Sequence, residues 1–227
     1  VAESKDVKHG PIEILVTYDE ETGMTGAQAL ESGVLKGEIL INLDSETEGE
    51  LYVGCAGGID ASASGTYTLV EKPDGYEAFN FSVKGCQGGH SGMDIILYRA
   101  NASKIATRIL LTLLESEDVK LVDLEGGTLR NAIARECFAL LYVKDEKKTR
   151  AFIEAASEKI LKEYAITDPD MKISLEACDC DKAYVEDKDA LRILRAVLAC
   201  PDGVERMSSS IEGLVETSNN MAIVKVS

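Results

Sequence analysis

Histidine is scarce in this chain, basic residues are outnumbered, no apolar run is long, and the cysteines fall in no paired Cys-x-x-Cys spacing. Each shortage excludes something. With only His9 and His90, imidazole chemistry has two candidate carriers. No run approaches the roughly 20 apolar residues needed to span a bilayer, and the opening stretch VAESKDVKHG lacks the basic-then-apolar order of a secretory signal. A soluble, cytoplasmic protein without membrane attachment is expected. Twenty-four Lys and Arg against forty Asp and Glu leave a net charge of −16, which repels phosphate backbones, so no nucleic-acid partner is expected. The six cysteines, at 55, 86, 137, 178, 180 and 200, are scattered through a chain too long to need stapling and are read as reduced. Cys178 and Cys180 lie two apart, a strand-like spacing that puts both on one face. Two soft ligands alone do not make a structural zinc site, so buried thiols are the favoured reading.

What is present is enough for a packed core: 227 residues, 45% of them hydrophobic, suit one large domain or two small ones. Ile12 to Tyr18 and Glu38 to Leu43 are short apolar runs that read as buried strands. Between them Met24 to Leu35 is helix-like, with Ala27, Leu30 and Val34 at spacings of three and four and Gly37 just past the end. Strand, helix and strand in so short a span predict a parallel βαβ piece.

From about Ile59 the pattern changes. Gly65 to Val70 and Tyr76 to Lys84 read as strands joined by the Lys-Pro-Asp-Gly turn at 72–75, and hence as a hairpin. Helices are predicted over Ala100 to Glu117, with an apolar stripe at Ile105, Ile109, Leu110 and Leu113, and over Lys147 to Tyr164. Strands are predicted at Lys120 to Leu124, Glu136 to Val143 and Met171 to Leu175. The order ββαββαβ suits an antiparallel sheet with helices on one face. A last helix over Asp189 to Ala199 and strand-like pieces at Gly213 to Thr217 and Met221 to Val226 complete the reading. The expected fold class is therefore α/β plus α+β, with residues 1–58 as a partial first domain and 59–227 as a second domain. A lone βαβ piece cannot cover both faces of a parallel sheet, so the protein is expected to continue beyond both ends.

In open α/β sheets, sites form beyond the carboxyl ends of the strands. Two acidic clusters sit there: Asp19-Glu20-Glu21 after the first run and Asp44 after the second. Adjacent Glu20 and Glu21 point in different directions, which lets one ligate a metal while the other handles protons. Acidic loops after strands are also common as plain solvated surface. His90 lies in a glycine-dense loop, Lys84-Gly-Cys-Gln-Gly-Gly-His-Ser-Gly-Met93, where backbone can approach a ligand closely, although a histidine can also simply decorate a turn. Paired glycines before Arg130 and Asn131 hold two natural binders of carboxylates and carbonyls, or a solvated hairpin loop. His9 beside Gly10 and Pro11 reads as surface, and Ser218, Asn219 and Asn220 as a polar interruption of a strand.

Four stretches taken in order, HGPIEILVTYDEETGMTGA, ILINLDSETEGELYVGCAGG, GGHSG and GGTLRNAIARE, resemble the aminoacyl-histidine dipeptidases, carnosinase-like members of the aminoacylase and carboxypeptidase clan of dizinc peptidases. The resemblance spans almost the whole chain, including VETSNN near its end. It implies a general base at Glu20, zinc ligands at Glu21 and Asp44, a transition-state histidine at His90 and a substrate-binding asparagine at Asn131. It further implies short Xaa-His peptides as substrates, two zinc ions per complete site, and a lid domain of the dimerisation type inserted from about Ile59, with a homodimer as an expected assembly. The family's remaining histidine ligands, bridging aspartate and downstream arginine have no match here, so the chain alone is expected to be inactive. The competing readings are a non-catalytic lid or dimerisation module and an unrelated acidic metal-binding protein.

Overall fold

Phe79, Phe81 and Val83 alternate along one strand, and each is at most 1% exposed. Alternation at period two puts all three on one face of a sheet. The computed structural model describes residues 4–21, 23–44 and 48–227; Thr22 and residues 45–47, inside the acidic stretches, lie outside it. The chain divides into two compact units, Val1–Ile59 and Asp60–Ser227.

In the first unit the one helix among the described residues is α1 (Thr25–Gln28). In the second, the first half holds β1 (Leu69–Val70), β2 (Glu77–Lys84), β3 (Gly89–His90), α2 (Ala102–Ser116), β4 (Val119–Gly126), β5 (Ala132–Ile133) and β6 (Cys137–Val143). There follow α3 (Glu146–Glu163), β7 (Lys172–Cys178), β8 (Tyr184–Val185), α4 (Asp187–Ala199), β9 (Gly203–Met207), β10 (Val215–Asn219) and β11 (Val224–Val226).

Five strands form the central sheet in the order β11-β4-β6-β2-β7, antiparallel throughout. Phe81 stands opposite Ala139 of β6 and Leu175 of β7, so the buried face is continuous across three strands. Onto that face pack Ile105, Ile109, Leu110 and Leu113 of α2, Ile153 and Ile160 of α3, and Leu194 of α4. Fully burying one such side chain contributes roughly 1.5–3 kcal/mol, which is why the helices share one face. Their starts are fixed locally. Asn101 caps α2 by accepting from the Ser103 and Lys104 N–H groups, and Asp145 caps α3 by accepting from Lys148 N–H at 3.0 Å. On the opposite face a smaller cluster forms from Ala78, Val122, Leu140 and Tyr142, with Tyr76, Cys178, Cys180 and Tyr184 against it.

The hairpin expected around residues 72–75 does not form. β2 is flanked on both sides by β6 and β7, each matched over seven residues, which leaves no free edge for the two-residue β1. β1 pairs instead with β8, Leu69 opposite Val185, and the Thr68 N–H goes to Asp189 Oδ2 at 2.8 Å.

The parallel ladder expected in the first unit is not formed among the described residues. Ile12 to Tyr18 and Glu38 to Leu43 run without strand pairing, and Ile14, Val16, Ile39 and Leu40 are 78–85% exposed. Parallel strands hold together when both faces are covered, and a four-residue helix covers neither. The helix is also shorter than the predicted Met24 to Leu35, because short helices without a packing face are marginal. Glu13 ties the two runs: its Oε2 accepts from Lys36 N–H at 2.8 Å and Gly37 N–H at 2.7 Å, fastening the beginnings of the two apolar runs together. Among the described residues no helix is long and apolar enough to cross a membrane.

Candidate functional site

Two loops that are far apart in sequence meet at β3 and β5. His90 pairs with Ala132 and Gly89 with Ile133, and the Ser91 N–H donates to the Asn131 carbonyl at 2.8 Å. The glycine loop and the Arg130–Asn131 loop thus become one structure, with His90 and Asn131 both exposed on it.

The loop's own hydrogen bonds fix the histidine. Its backbone N–H donates to Asp94 Oδ2 at 2.7 Å, and its carbonyl accepts from Asp94 N–H at 2.8 Å. Its ring Nδ1 accepts from the N–H groups of Gly92 at 3.1 Å and Met93 at 3.3 Å. A nitrogen that accepts cannot carry the ring proton, so the neutral imidazole bears it on Nε2. The side chain therefore presents an N–H donor outward. Gly89 is required here: at φ +139° its missing Cβ would lie 2.5 Å from Asp94 Oδ2 and 2.7 Å from an Arg99 guanidinium nitrogen. Arg99 Nη1 donates to the Gly88 carbonyl at 2.6 Å and stands 3.8 Å from Asp94 Oδ1.

Below the loop, Asp168 is 2% exposed and accepts from Gln87 N–H and Ala100 N–H, both at 2.8 Å. One buried carboxylate so clamps both ends of the segment that carries His90. On the other side, Asn220 Nδ2 donates to the Ala132 carbonyl at 2.8 Å and supports β5 from beneath. Arg130 pairs with Asp60 at 3.1 Å, with both side chains more than half exposed. A groove of about 720 Å³ adjoins the ladder, lined by Gly89, Thr128, Arg135, Phe138, Ile223 and Lys225 among others.

Asp94, Arg99, Asp168 and Asn220 were not singled out as site residues by the sequence reading. Asn220 alone gave a signal, as part of a polar interruption near the chain's end; it is a support for β5 rather than surface. The others are ordinary polar residues in sequence, and only the folded loop shows what they hold.

Glu20, Glu21 and Asp44 lie in the first unit and are exposed. Asp19, next to them, has φ +62° and accepts from Thr25 Oγ1 at 2.7 Å, which shapes the turn carrying Glu20 and Glu21. The Asp44 N–H donates to Asn42 Oδ1 at 2.9 Å. Zinc sites take three or four protein ligands. Among the described residues no group of three or more His, Cys, Asp or Glu side chains could hold a metal ion, so these residues do not by themselves fit a zinc centre.

Residues 81–169 match the peptidase dimerisation domain. Over 226 residues the chain is 40% identical to the cytosol non-specific dipeptidase of Escherichia coli (strain K12), covering 99% of this chain and 47% of that protein. Nearly the whole of this chain is thus similar to part of a dipeptidase. Its structure is similar to that of the aminoacylhistidine dipeptidase from Vibrio alginolyticus, with a TM-score of 0.82 and 40% identity over 100% of this chain and 46% of that one. The chain thus spans about half the length of the dipeptidases it matches. The matched stretch runs from Phe81 in β2 to just past α3 and contains the whole His90–Asn131 junction.

Proposed function

We propose that the whole protein is a cytoplasmic dipeptidase for Xaa-His peptides such as carnosine, in which residues 60–227 form a lid that presents His90 and Asn131 to the substrate. The single observation that carries this reading is the β3–β5 junction, which sets an outward Nε2–H donor beside Asn131. His90 donates to the oxyanion that develops on the scissile carbonyl. Asn131 offers an amide that both donates and accepts, suited to the peptide's carbonyl or carboxylate. Glu20 takes a proton from the attacking water and returns it to the leaving amine. Glu21 and Asp44 are offered as carboxylate donors to two zinc ions, with the other ligands coming from the rest of the whole protein. The tie between Glu13 and Lys36–Gly37 supports grouping them, because it starts both apolar runs side by side. The 227-residue chain alone is then inactive.

A second reading, in which this domain serves only to pair two copies, is favoured by the dimerisation-domain match. One substitution separates the two. In the whole protein His90→Ala lowers turnover by roughly 10² or more with zinc stoichiometry unchanged, since one oxyanion donor is lost. Loss of a zinc equivalent would make His90 a ligand, and full turnover with weakened self-association in sedimentation would favour the pairing role. The isolated chain, with a Glu20→Gln control against contaminants, gives no carnosine hydrolysis.

A further inference from the structure

Cys178 closes β7, and Cys180 follows it in the segment leading to β8. Both are half-buried free thiols, and both pack against the small cluster of Ala78, Val122, Leu140 and Tyr142 on the sheet face opposite the helices. The two sulfurs have different surroundings. Cys180 Sγ accepts from the Lys182 N–H at 3.3 Å and lies 3.4 Å from the Tyr142 hydroxyl. That hydroxyl also reaches the Lys182 carbonyl at 2.7 Å, so its single proton is available to whichever acceptor is stronger, and a thiolate is the stronger one. Lys72 Nζ lies 2.8 Å from the Cys180 carbonyl and 5.3 Å from the Tyr142 ring centre, and it pairs with Asp181 at 3.1 Å, so it anchors the backbone beside Cys180. Burial, followed by the proximity of Cys180, pushes the Cys178 thiol upward, which keeps that sulfur protonated. Cys86 and Cys137 differ from this pair: both are 0% exposed, and burial pushes each thiol up to about 12.

We propose that Cys178 and Cys180 form a peroxide-responsive dithiol, in which Cys180 is the sulfur oxidised first and Cys178 the thiol that resolves it. The Cys180 thiolate attacks the terminal oxygen of a hydroperoxide: an S–O bond forms, the O–O bond breaks, and the departing alkoxide or hydroxide takes a proton from solvent. Cys178 then attacks the sulfenyl sulfur, the S–S bond forms, the S–O bond breaks, and water leaves with the thiol's proton. Two thiols are oxidised by two electrons and one hydroperoxide is reduced. The chain geometry allows closure. Residues two apart on an extended strand are separated by about 6.6 Å at roughly 3.3 Å per residue, the upper edge of the approximately 4.4–6.8 Å that a disulfide spans. Cys178 is the last paired residue of β7, opposite Ala78, and residues 179–183 belong to no strand, so contraction costs one terminal pair. Closure withdraws Cys180 from Tyr142 and draws in the segment that feeds β8.

The test exposes the full chain to limiting hydrogen peroxide, blocks remaining thiols with N-ethylmaleimide, and maps the peptides by mass spectrometry. The peptide bearing Cys178 and Cys180 is expected to lose two hydrogens and take no maleimide before Cys55 or Cys200 is consumed. In Cys178→Ser, Cys180 should accumulate as a dimedone-reactive sulfenic acid. Tyr142→Phe should slow the first oxidation by roughly tenfold, the loss of one hydrogen bond to a charged acceptor. Because Tyr142 is fully buried, the Cys178→Ser result stands independently if the Phe variant does not fold. Alkylation of both thiols after Cys55 and Cys200 have been oxidised, sulfinic acid in place of a disulfide in the unmodified chain, or no dimedone adduct in Cys178→Ser would each overturn the proposal.

Discussion

Asp94 holds His90 from the backbone side, Oδ2 to N–H at 2.7 Å, while the turn between them delivers two N–H groups to the imidazole Nδ1. The carboxylate thus sets the turn, and the turn sets which ring nitrogen carries the proton. If His90 acts as proposed, Asp94 is its positioning residue. Asp94→Ala in the whole protein should lower turnover by about tenfold, less than loss of His90 itself, because the donor remains but is no longer oriented. Asp94→Asn keeps an acceptor oxygen and should recover most of it. Nitrogen shifts of the imidazole check the cause: Nδ1 should read as an unprotonated acceptor in the parent and lose that signature in the alanine variant. A tautomer unchanged alongside reduced turnover would place the effect elsewhere.

Asp168 should matter to the same loop through stability. Asp168→Ala leaves the Gln87 and Ala100 N–H groups without their partner, and burying one unsatisfied donor costs about 1–3 kcal/mol. Hydrogen exchange should rise at those two amides above all others in the segment. Asp168→Asn, which retains one acceptor oxygen, should fall between the parent and the alanine variant. Equal protection of both amides in all three proteins would show that the clamp is not what orders the loop.

Phe81 sits at the centre of the sheet with no exposed surface, between Ala139 and Leu175. Phe81→Ala should cost about 3–5 kcal/mol through lost burial and the cavity left behind. Thermal and urea unfolding read the change directly. Phe138→Ala is the control: on the other face and 41% exposed, it should cost far less.

How much of this was legible depended on the range over which each feature is decided. The apolar stripe of Ile105, Ile109, Leu110 and Leu113 marks α2 within its own length, and the structure places the helix inside the predicted span. The alternation in Glu77–Lys84 does the same for β2. β3 and β5 are two residues each and exist only because distant loops meet, so no local period announces them. The hairpin at 72–75 failed for a related reason: turn chemistry proposes a partner, and the competition among β1, β6 and β7 for β2 decides it. In the first unit the apolar runs read as buried strands, but burial needs covering layers that a four-residue helix does not supply. His90 and Asn131 were each visible as residues in glycine loops; that they share one junction was not.

Arg108 on α2 grips Glu163 at the end of α3 through two parallel hydrogen bonds, at 2.9 and 2.8 Å. The guanidinium holds the Glu163 carboxyl below its ordinary range, the hydrogen bond contributing most. The sign follows from linkage: a carboxyl with a lowered folded value stabilises the fold at pH above its unfolded value of about 4.3, and that contribution disappears as pH falls through the lower, folded value. Both side chains are more than a third exposed, so solvent screening limits the pair to at most about 1 kcal/mol despite its bidentate geometry. Glu163→Gln should therefore lower the urea midpoint slightly at neutral pH, and the difference from the parent should close as the medium is acidified. A double-mutant cycle with Arg108→Gln isolates the pair. Its coupling energy should shrink in concentrated salt as well as in acid, whereas a difference that persisted in both would mean that the two side chains act through packing between α2 and α3 rather than through charge.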